Sequence, residues 1–301
     1  MDLVKDYLRS QQFFKVYYDE PLAKHTTFRV GGRAKILVFP ETKQKLIDLI
    51  TFLKTNKIPF KVLGNGSNIL PSDNDYEGVI IKPHLALNNM QVIDECVNVD
   101  AGYSLVRLAY EMIKYELTGL EFLGGIPGTI GGACVMNAGA YNREMKDCLI
   151  EVHYLDQDGN LTVSNAKDLQ FGYRSSIFQK ERPLLIIKAL LKLERGNGKE
   201  IKELLEKRRN RRLLTQPLDY PSAGSTFRNP EGTHAYMLID KAGLRGKRIG
   251  GAMVSEKHCN FIINVGGASS RDIRDLIEFV IEEVYKVTKI TLVPEVEFFN
   301  W

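Results

Sequence analysis

A chain of 301 residues with 44% hydrophobic and 26% charged side chains has ordinary globular composition. It is long enough for two or three lobes, and disordered, collagenous and fibrous classes are excluded. No apolar run approaches the ~18 residues of a membrane span, and the opening MDLVKDYLRS lacks a basic n-region and an apolar h-region, so the expected location is the cytoplasm, with no membrane partner. The formal charge of +4 is matched by residues 199–212 alone (KEIKELLEKRRNRR, seven basic and three acidic side chains), which argues against a nucleic-acid partner, since such binders spread Lys and Arg over a whole face.

From the N-terminus, Thr42 to Lys57 carries Leu46, Ile47, Ile50 and Leu53 at helical spacing and is followed by a strand-like run, Ile58 to Leu63. Val79 to Ile81 and Val97 to Val99 predict further strands. Ser104 to Leu117 predicts a helix ended by Gly119. Ile150 to Leu155 and Leu161 to Val163 flank Asp158-Gly159, a hairpin signal, and Leu184 to Leu193 is an apolar run. The segment RGNGKE (195–200) reads as a linker, so a boundary is expected there. Beyond it come a basic amphipathic helix, a Pro- and Gly-rich loop (216–232), a helix from about Thr233 to Ala242 ended by Gly243, and a strand at Phe261 to Val265. A long helix follows, opened by Ser269 with Asp272 three residues on, as in a capping box.

Four dispersed cysteines (96, 134, 148 and 259) form no C-x-x-C pair and read as reduced thiols. Five histidines lack the spacings that put two imidazoles on one metal, so no metal is expected. Two glycine loops carry more information. Gly64-Asn65-Gly66-Ser67-Asn68 follows a strand, where backbone N–H groups can turn toward a phosphate, but Pro71 would stop the helix that a Rossmann unit needs. A pyrophosphate loop in another fold and a plain turn are both open on this motif. Residues 119–139 (GLEFLGGIPGTIGGACVMNAG) hold seven of the 25 glycines, each weakening regular structure by roughly 0.5–1 kcal/mol relative to Ala. Close approach of bare backbone to a large or phosphorylated ligand explains that density, with packed turns as the alternative; no ATPase P-loop signature is present.

HTTFRVGG (25–32), LGNGSNIL (63–70), GIPGTIGGACVMNAGAY (125–141), FGYRSSIF (171–178), SAGSTFRNP (222–230), KHCNFIIN (257–264) and LVPEVEF (292–298) together resemble the UDP-N-acetylenolpyruvoylglucosamine reductases, the MurB family. The motifs run in the family's order along nearly the whole chain. The short connection between Leu193 and Ile201 resembles its compact type II branch, and Gly124-Gly125 replaces a more usual Ala-Gly.

The resemblance implies an α+β fold: a two-lobed FAD-binding fold of the vanillyl-alcohol-oxidase/PCMH type plus a C-terminal α+β substrate-binding domain. The expected division is 1–75 for the first FAD lobe, with strand 290–301 returning to it, 76–196 for the second, and 197–289 for the substrate domain. It also implies noncovalent FAD, reduction by NADPH, and conversion of the enolpyruvyl ether of UDP-N-acetylglucosamine to the lactyl ether, giving UDP-N-acetylmuramate for peptidoglycan. Carried over residue by residue, FAD falls to Gly64, Asn65, Gly66, Ser67, Asn68, Gly125, Ile126, Pro127, Gly128, Gly131, Gly132, Asn137, Ala138 and Gly139.

Arg174 corresponds to an active-site arginine whose planar fork suits a carboxylate becoming an enolate. Glu295 corresponds to a glutamate that helps most when neutral and donating a hydrogen bond, and Ser225 to the proton donor. Tyr173, Arg212 and Asn229 are expected substrate contacts, Lys207, Arg208 and Arg209 are left to solvent, and His258 reads equally as structural or ligand-contacting. Two other functions compete: an FAD oxidoreductase of the same fold acting on a sugar or alcohol, and a nucleotide-sugar or nucleic-acid binder without redox activity, motivated by KRRNRR.

Overall fold

The computed structural model describes residues 1–301. After helix α1 (Asp2–Arg9) come strands β1 (Phe14–Pro21) and β2 (Arg33–Pro40), then helix α2 (Lys43–Thr55). The Thr42 hydroxyl caps α2 by accepting from the Lys45 N–H, and Leu46, Leu49, Ile50 and Leu53 form its buried stripe. Leu49 faces inward where the spacing favoured Ile47, which is half-buried. Five strands follow: β3 (Phe60–Val62), β4 (Ile69–Pro71), β5 (Tyr76–Ile81), β6 (Met90–Ile93) and β7 (Cys96–Asp100). Helix α3 (Leu105–Tyr115) is capped by Ser104, and its last turn is closed by Glu116 at φ +53° rather than by Gly119.

The short helix α4 (Ile130–Met136) leads to β8 (Leu149–Leu155), β9 (Leu161–Asn165) and β10 (Leu185–Lys192). Helices α5 (Gly198–Thr215) and α6 (Ala235–Lys241), strands β11 (Arg248–Ile249), β12 (Ala252–Val254) and β13 (Ile262–Asn264), helix α7 (Ser270–Thr288) and strand β14 (Glu297–Phe299) complete the chain. The capping box of α7 is formed from both sides: Asp272 N–H donates to Ser269 Oγ, and Ser269 N–H donates to the Asp272 carboxylate.

By packing, the chain forms two compact units. One comprises Met1–Tyr18, Ile36–Gly64 and Glu77–Asn210; the other comprises Asp19–Lys35, Asn65–Tyr76 and Arg211–Trp301. These limits differ from the three-part division expected by ligand. Ile201 and Leu205 of α5 are buried in the first core, so the 195–200 segment lies within the first unit and the packing break falls inside α5.

The larger sheet of the first unit is fully antiparallel in the order β9-β8-β10-β7-β6. Central β10 is buried along most of its length, which is why LIIKALLK reads as one apolar run. Edge strand β9 has no buried residue. Across Asp158-Gly159 the β8–β9 register pairs Leu155 with Leu161. A second sheet orders β1-β2-β5-β3, with β3 parallel to β5.

The second unit gathers Phe28, Val30 and Leu70 from the first quarter of the sequence around α6, α7 and the sheet β11-β12-β13. Strand β14 pairs in parallel with β4, Glu297 opposite Ile69 and Phe299 opposite Pro71. The C-terminal strand thus returns to the segment after the first glycine loop, and Pro71 ends up in a strand rather than breaking a helix.

Candidate active site

In the first unit, the first glycine loop begins as β3 ends. Leu63 N–H is held by the Ile81 carbonyl at 2.9 Å, and the ammonium of buried Lys82 donates to the Gly64 carbonyl. Burial lowers the pKa of Lys82 to about 8. A methyl group at Gly64 would lie 2.7 Å from Thr129 Oγ1, so the two glycine segments meet there. Thr129 caps α4, and its hydroxyl accepts the Gly132 N–H at 3.5 Å.

Several amides of the second segment are engaged within the chain: Ile126 to Leu123, Ile130 to Tyr103 and Gly131 to Ala101. Gly131 also packs closely, since a Cβ there would stand 3.1 Å from that of Ala101, whereas Gly132 is exposed with only Thr129 Oγ1 within 4 Å. The glycine density therefore has two causes, packing at Gly131 and open space at Gly132.

Asn137 ends α4 in the left-handed region and is completely buried. Its amide donates to the Glu144 carboxylate (3.0 Å) and the Gly172 carbonyl (2.9 Å), and its Oδ1 accepts from the Lys146 N–H. Ala138 N–H closes on Ala133. Gly139 accepts from Arg174 Nη2 at 2.6 Å, so residues 137–139 build the support of Arg174.

Arg174 itself sits in a tight turn closed by reciprocal bonds between Gly172 and Ser175 at 3.0 and 3.1 Å. Its φ of +53° is one that Gly or Asn usually supplies at this turn position. An arginine held there is a local strain that the surroundings over-determine. Gln179 binds its carbonyl at 3.1 Å, Glu144 Oε1 lies 3.6 Å from Nη1, and the guanidinium stacks 5.0 Å from the Tyr173 ring centroid. The Arg174 side chain is 17% exposed, and these contacts set the plane of its fork. Tyr173 is exposed beside it.

In the second unit, Ser225 stands between Gly224, at φ +76°, and fully buried Thr226. The bonds of this turn are carried by its neighbours. Thr226 N–H donates to the Asn260 carbonyl (2.7 Å), Thr226 Oγ1 accepts from Ile262 N–H (3.1 Å), and the Asn260 side chain bonds Phe227 at both N–H and carbonyl. The next strand edge is Val293–Glu295. Arg228 N–H donates to Val293, and Glu295 N–H donates to the Thr226 carbonyl at 2.8 Å, which places Glu295 one residue from Ser225 across the pairing. From the first glycine loop, Asn68 Nδ2 donates to the Glu295 carbonyl at 3.0 Å. Gly66 adopts φ +64°, and a Cβ there would run into the His25 carbonyl.

Two of the expected substrate contacts make local hydrogen bonds in the second unit. Asn229 Oδ1 accepts the first N–H of α6, from Ala235, at 3.0 Å; Arg212 Nε donates to Gln216 at 2.8 Å in the last turn of α5. Arg208, expected in solvent, instead lies 4.4 Å from the Tyr141 ring centroid, since its planar cation finds a π-face there. Nδ1 of His258 is buried without a partner between Tyr236 and Phe261, and burial lowers the pKa of that imidazole. Arg228 Nε is similarly buried and unpartnered. Such atoms mark places where a ligand or water completes the bonding. Arg228 and Lys82 were missed in the sequence: the first lay inside SAGSTFRNP, and the second had no motif of its own.

Known proteins resemble this chain over nearly its whole length. Residues 34–165 match the model of an FAD binding domain, and residues 216–299 match the UDP-N-acetylenolpyruvoylglucosamine reductase C-terminal domain. UDP-N-acetylenolpyruvoylglucosamine reductase of Caldanaerobacter subterraneus is 45% identical, over 99% of this chain and 97% of that protein. The Bacillus subtilis enzyme is 41% identical over 99% and 98%. The crystal structure of the Thermus caldophilus enzyme superposes with a TM-score of 0.79 at 34% identity, covering 95% of this chain and 99% of that one. Full-length identity at this level, with both domain models in order, places the chain in the UDP-N-acetylenolpyruvoylglucosamine reductase family.

Proposed function

We propose that the chain uses NADPH to reduce the enolpyruvyl ether of UDP-N-acetylglucosamine to the lactyl ether, giving UDP-N-acetylmuramate for peptidoglycan, in the cytoplasm. The observation that supports this reading is the backbone pairing of Thr226 with Glu295, which joins the serine-bearing turn to the glutamate-bearing segment of the reductase motifs. No helix is long and apolar enough to cross a membrane. The two glycine segments meeting at Gly64 and Thr129, with a buried ammonium beside them, suit the diphosphate of FAD. Held by these segments, FAD would supply hydride transfer between NADPH and C3 of the enolpyruvyl group.

Addition of hydride at C3 pushes the electron pair of the double bond to C2 and into the neighbouring carboxylate. The fork of Arg174, oriented by Gly139 and Glu144, stabilises that charge as it develops. Glu295, in its protonated form, donates a hydrogen bond to the same enolate. Ser225 gives its proton to C2 and completes the saturated lactyl ether. Tyr173, Arg212 and Asn229 contact the substrate. By ligand, residues 1–75 and 76–196 serve FAD and residues 197–289 the substrate, a division independent of the packing units.

The direct test is anaerobic turnover by purified protein. Mass spectrometry should show a product two hydrogens heavier than the enolpyruvyl substrate, formed with NADPH consumed one for one. Flavin reduced by NADPH but left unoxidised by this substrate, and reoxidised by an unrelated acceptor, would point to another oxidoreductase of the fold.

Two glycine variants test the cofactor assignment. Gly132→Ala meets open space and removes a glycine from a helix, so stability should hold or rise by up to ~1 kcal/mol while FAD content falls. Gly66→Ala should lose about 2 kcal/mol or more in denaturant unfolding, because its φ is left-handed and its Cβ meets a carbonyl. Full FAD occupancy in the Gly132 variant would remove that residue from the cofactor site.

A further inference from the structure

Lys82 follows directly on β5 and is only 5% exposed, where lysine is rarely found without a paired charge. Its main-chain N–H donates to the Val38 carbonyl, and its ammonium donates to the Gly64 carbonyl. Burial is the one cause acting on its basicity, with no carboxylate opposing it. A buried cation lacking a counterion is strongly destabilising, so its presence calls for an anion that arrives from outside the chain.

Its position says which anion. Gly64 opens the first glycine loop and stands against Thr129 of the second glycine segment, all within the first unit. By binding the Gly64 carbonyl, Lys82 ties down an acceptor that would repel a phosphate. An ammonium carries three N–H donors, and this bond uses one of them.

We propose that Lys82 is the buried counterion of the FAD diphosphate, its ammonium offsetting one phosphate charge while its bond to Gly64 holds the loop carbonyl away from the anion. This assignment rests on the FAD-dependent reading above. It adds a charged group to a cofactor site otherwise made of backbone and small side chains. It also accounts for a lysine where the neighbouring strand residues, Val79, Ile80 and Ile81, are all apolar and buried.

The test uses FAD-loaded protein, diluted in steps while free flavin is read by its recovered fluorescence. Lys82→Gln keeps a donor for Gly64 without the charge, Lys82→Met removes both, and Lys82→Arg keeps the charge. The Gln and Met variants should bind FAD roughly 10- to 150-fold more weakly, the range of a hydrogen bond to a charged group. The Arg variant should lose less than either. Free ADP, which carries the diphosphate without the flavin, should displace FAD from wild type, and far higher ADP should be needed to occupy the Gln variant.

Wild-type FAD affinity in either neutral variant, checked as folded by circular dichroism, overturns the proposal. So does a loss confined to Met, which would leave Lys82 as a prop for the Gly64 carbonyl. Wild-type protein that holds no FAD would count against the functional reading itself, whereas a normal Lys82→Gln holoenzyme that still reduces the enolpyruvyl substrate would count against Lys82 alone.

Discussion

Ser225→Ala should leave FAD content and NADPH-driven bleaching of the flavin nearly unchanged, yet slow its reoxidation by the enolpyruvyl substrate roughly 10²- to 10⁴-fold. That range is the worth of a positioned general acid. The expectation is sharp because Thr226 and Asn260, not Ser225, carry the hydrogen bonds of the turn. Removing the Ser225 hydroxyl therefore leaves the Thr226–Glu295 pairing in place. Stopped-flow measurement of the two half-reactions separates the outcomes. Slowing of both halves alike would mean a displaced flavin, and wild-type reoxidation would end the role of Ser225 as the acid. A serine that served only the turn would show instead as about 1 kcal/mol of lost stability with both halves intact.

For Arg174→Lys, kcat/KM should fall at least roughly 10²-fold although the charge is kept. A point ammonium cannot hold Gly139 and Glu144 while presenting a planar fork to a carboxylate, and each charged hydrogen bond lost is worth about 1.5–3 kcal/mol. Both substrate binding and the reduction step should suffer, because the carboxylate is present in the ground state and gains charge in the transition state. The half-reaction with NADPH should be spared. Kinetics equal to wild type would return Arg174 to a purely structural ion pair with Glu144, already present at 3.6 Å.

Much of the local structure was readable in the chain itself. Helices stand within the predicted stretches 42–57 and 104–117, Ser269 caps α7 as its spacing to Asp272 announced, and the Asp158-Gly159 hairpin forms in the β8–β9 register. Pro71 ruled out a Rossmann helix after the first glycine loop, and a strand stands there. Capping, alternation and turn chemistry act over a few residues, so their signals are written in neighbouring letters. The family was likewise legible, because the motifs that carry the resemblance span nearly the whole chain.

Long-range packing settled the rest. No local pattern announces that residues 65–76 join the core of 211–301, or that Asn68 binds the carbonyl of a residue 227 positions away. Helix α5 shows no break in its own sequence, yet its residues through Asn210 pack in one unit and those from Arg211 in the other. Arg174 in a left-handed turn contradicts local preference and is held by Asn137, Gly139 and Gln179, which only the folded chain assembles. Lys82 follows an apolar strand as an ordinary charged residue in the sequence and becomes a buried cation, bonded to the Gly64 carbonyl, only in the folded chain. Burial and pairing between distant segments are set by which apolar surfaces share a core, a property of the whole chain that no short window contains.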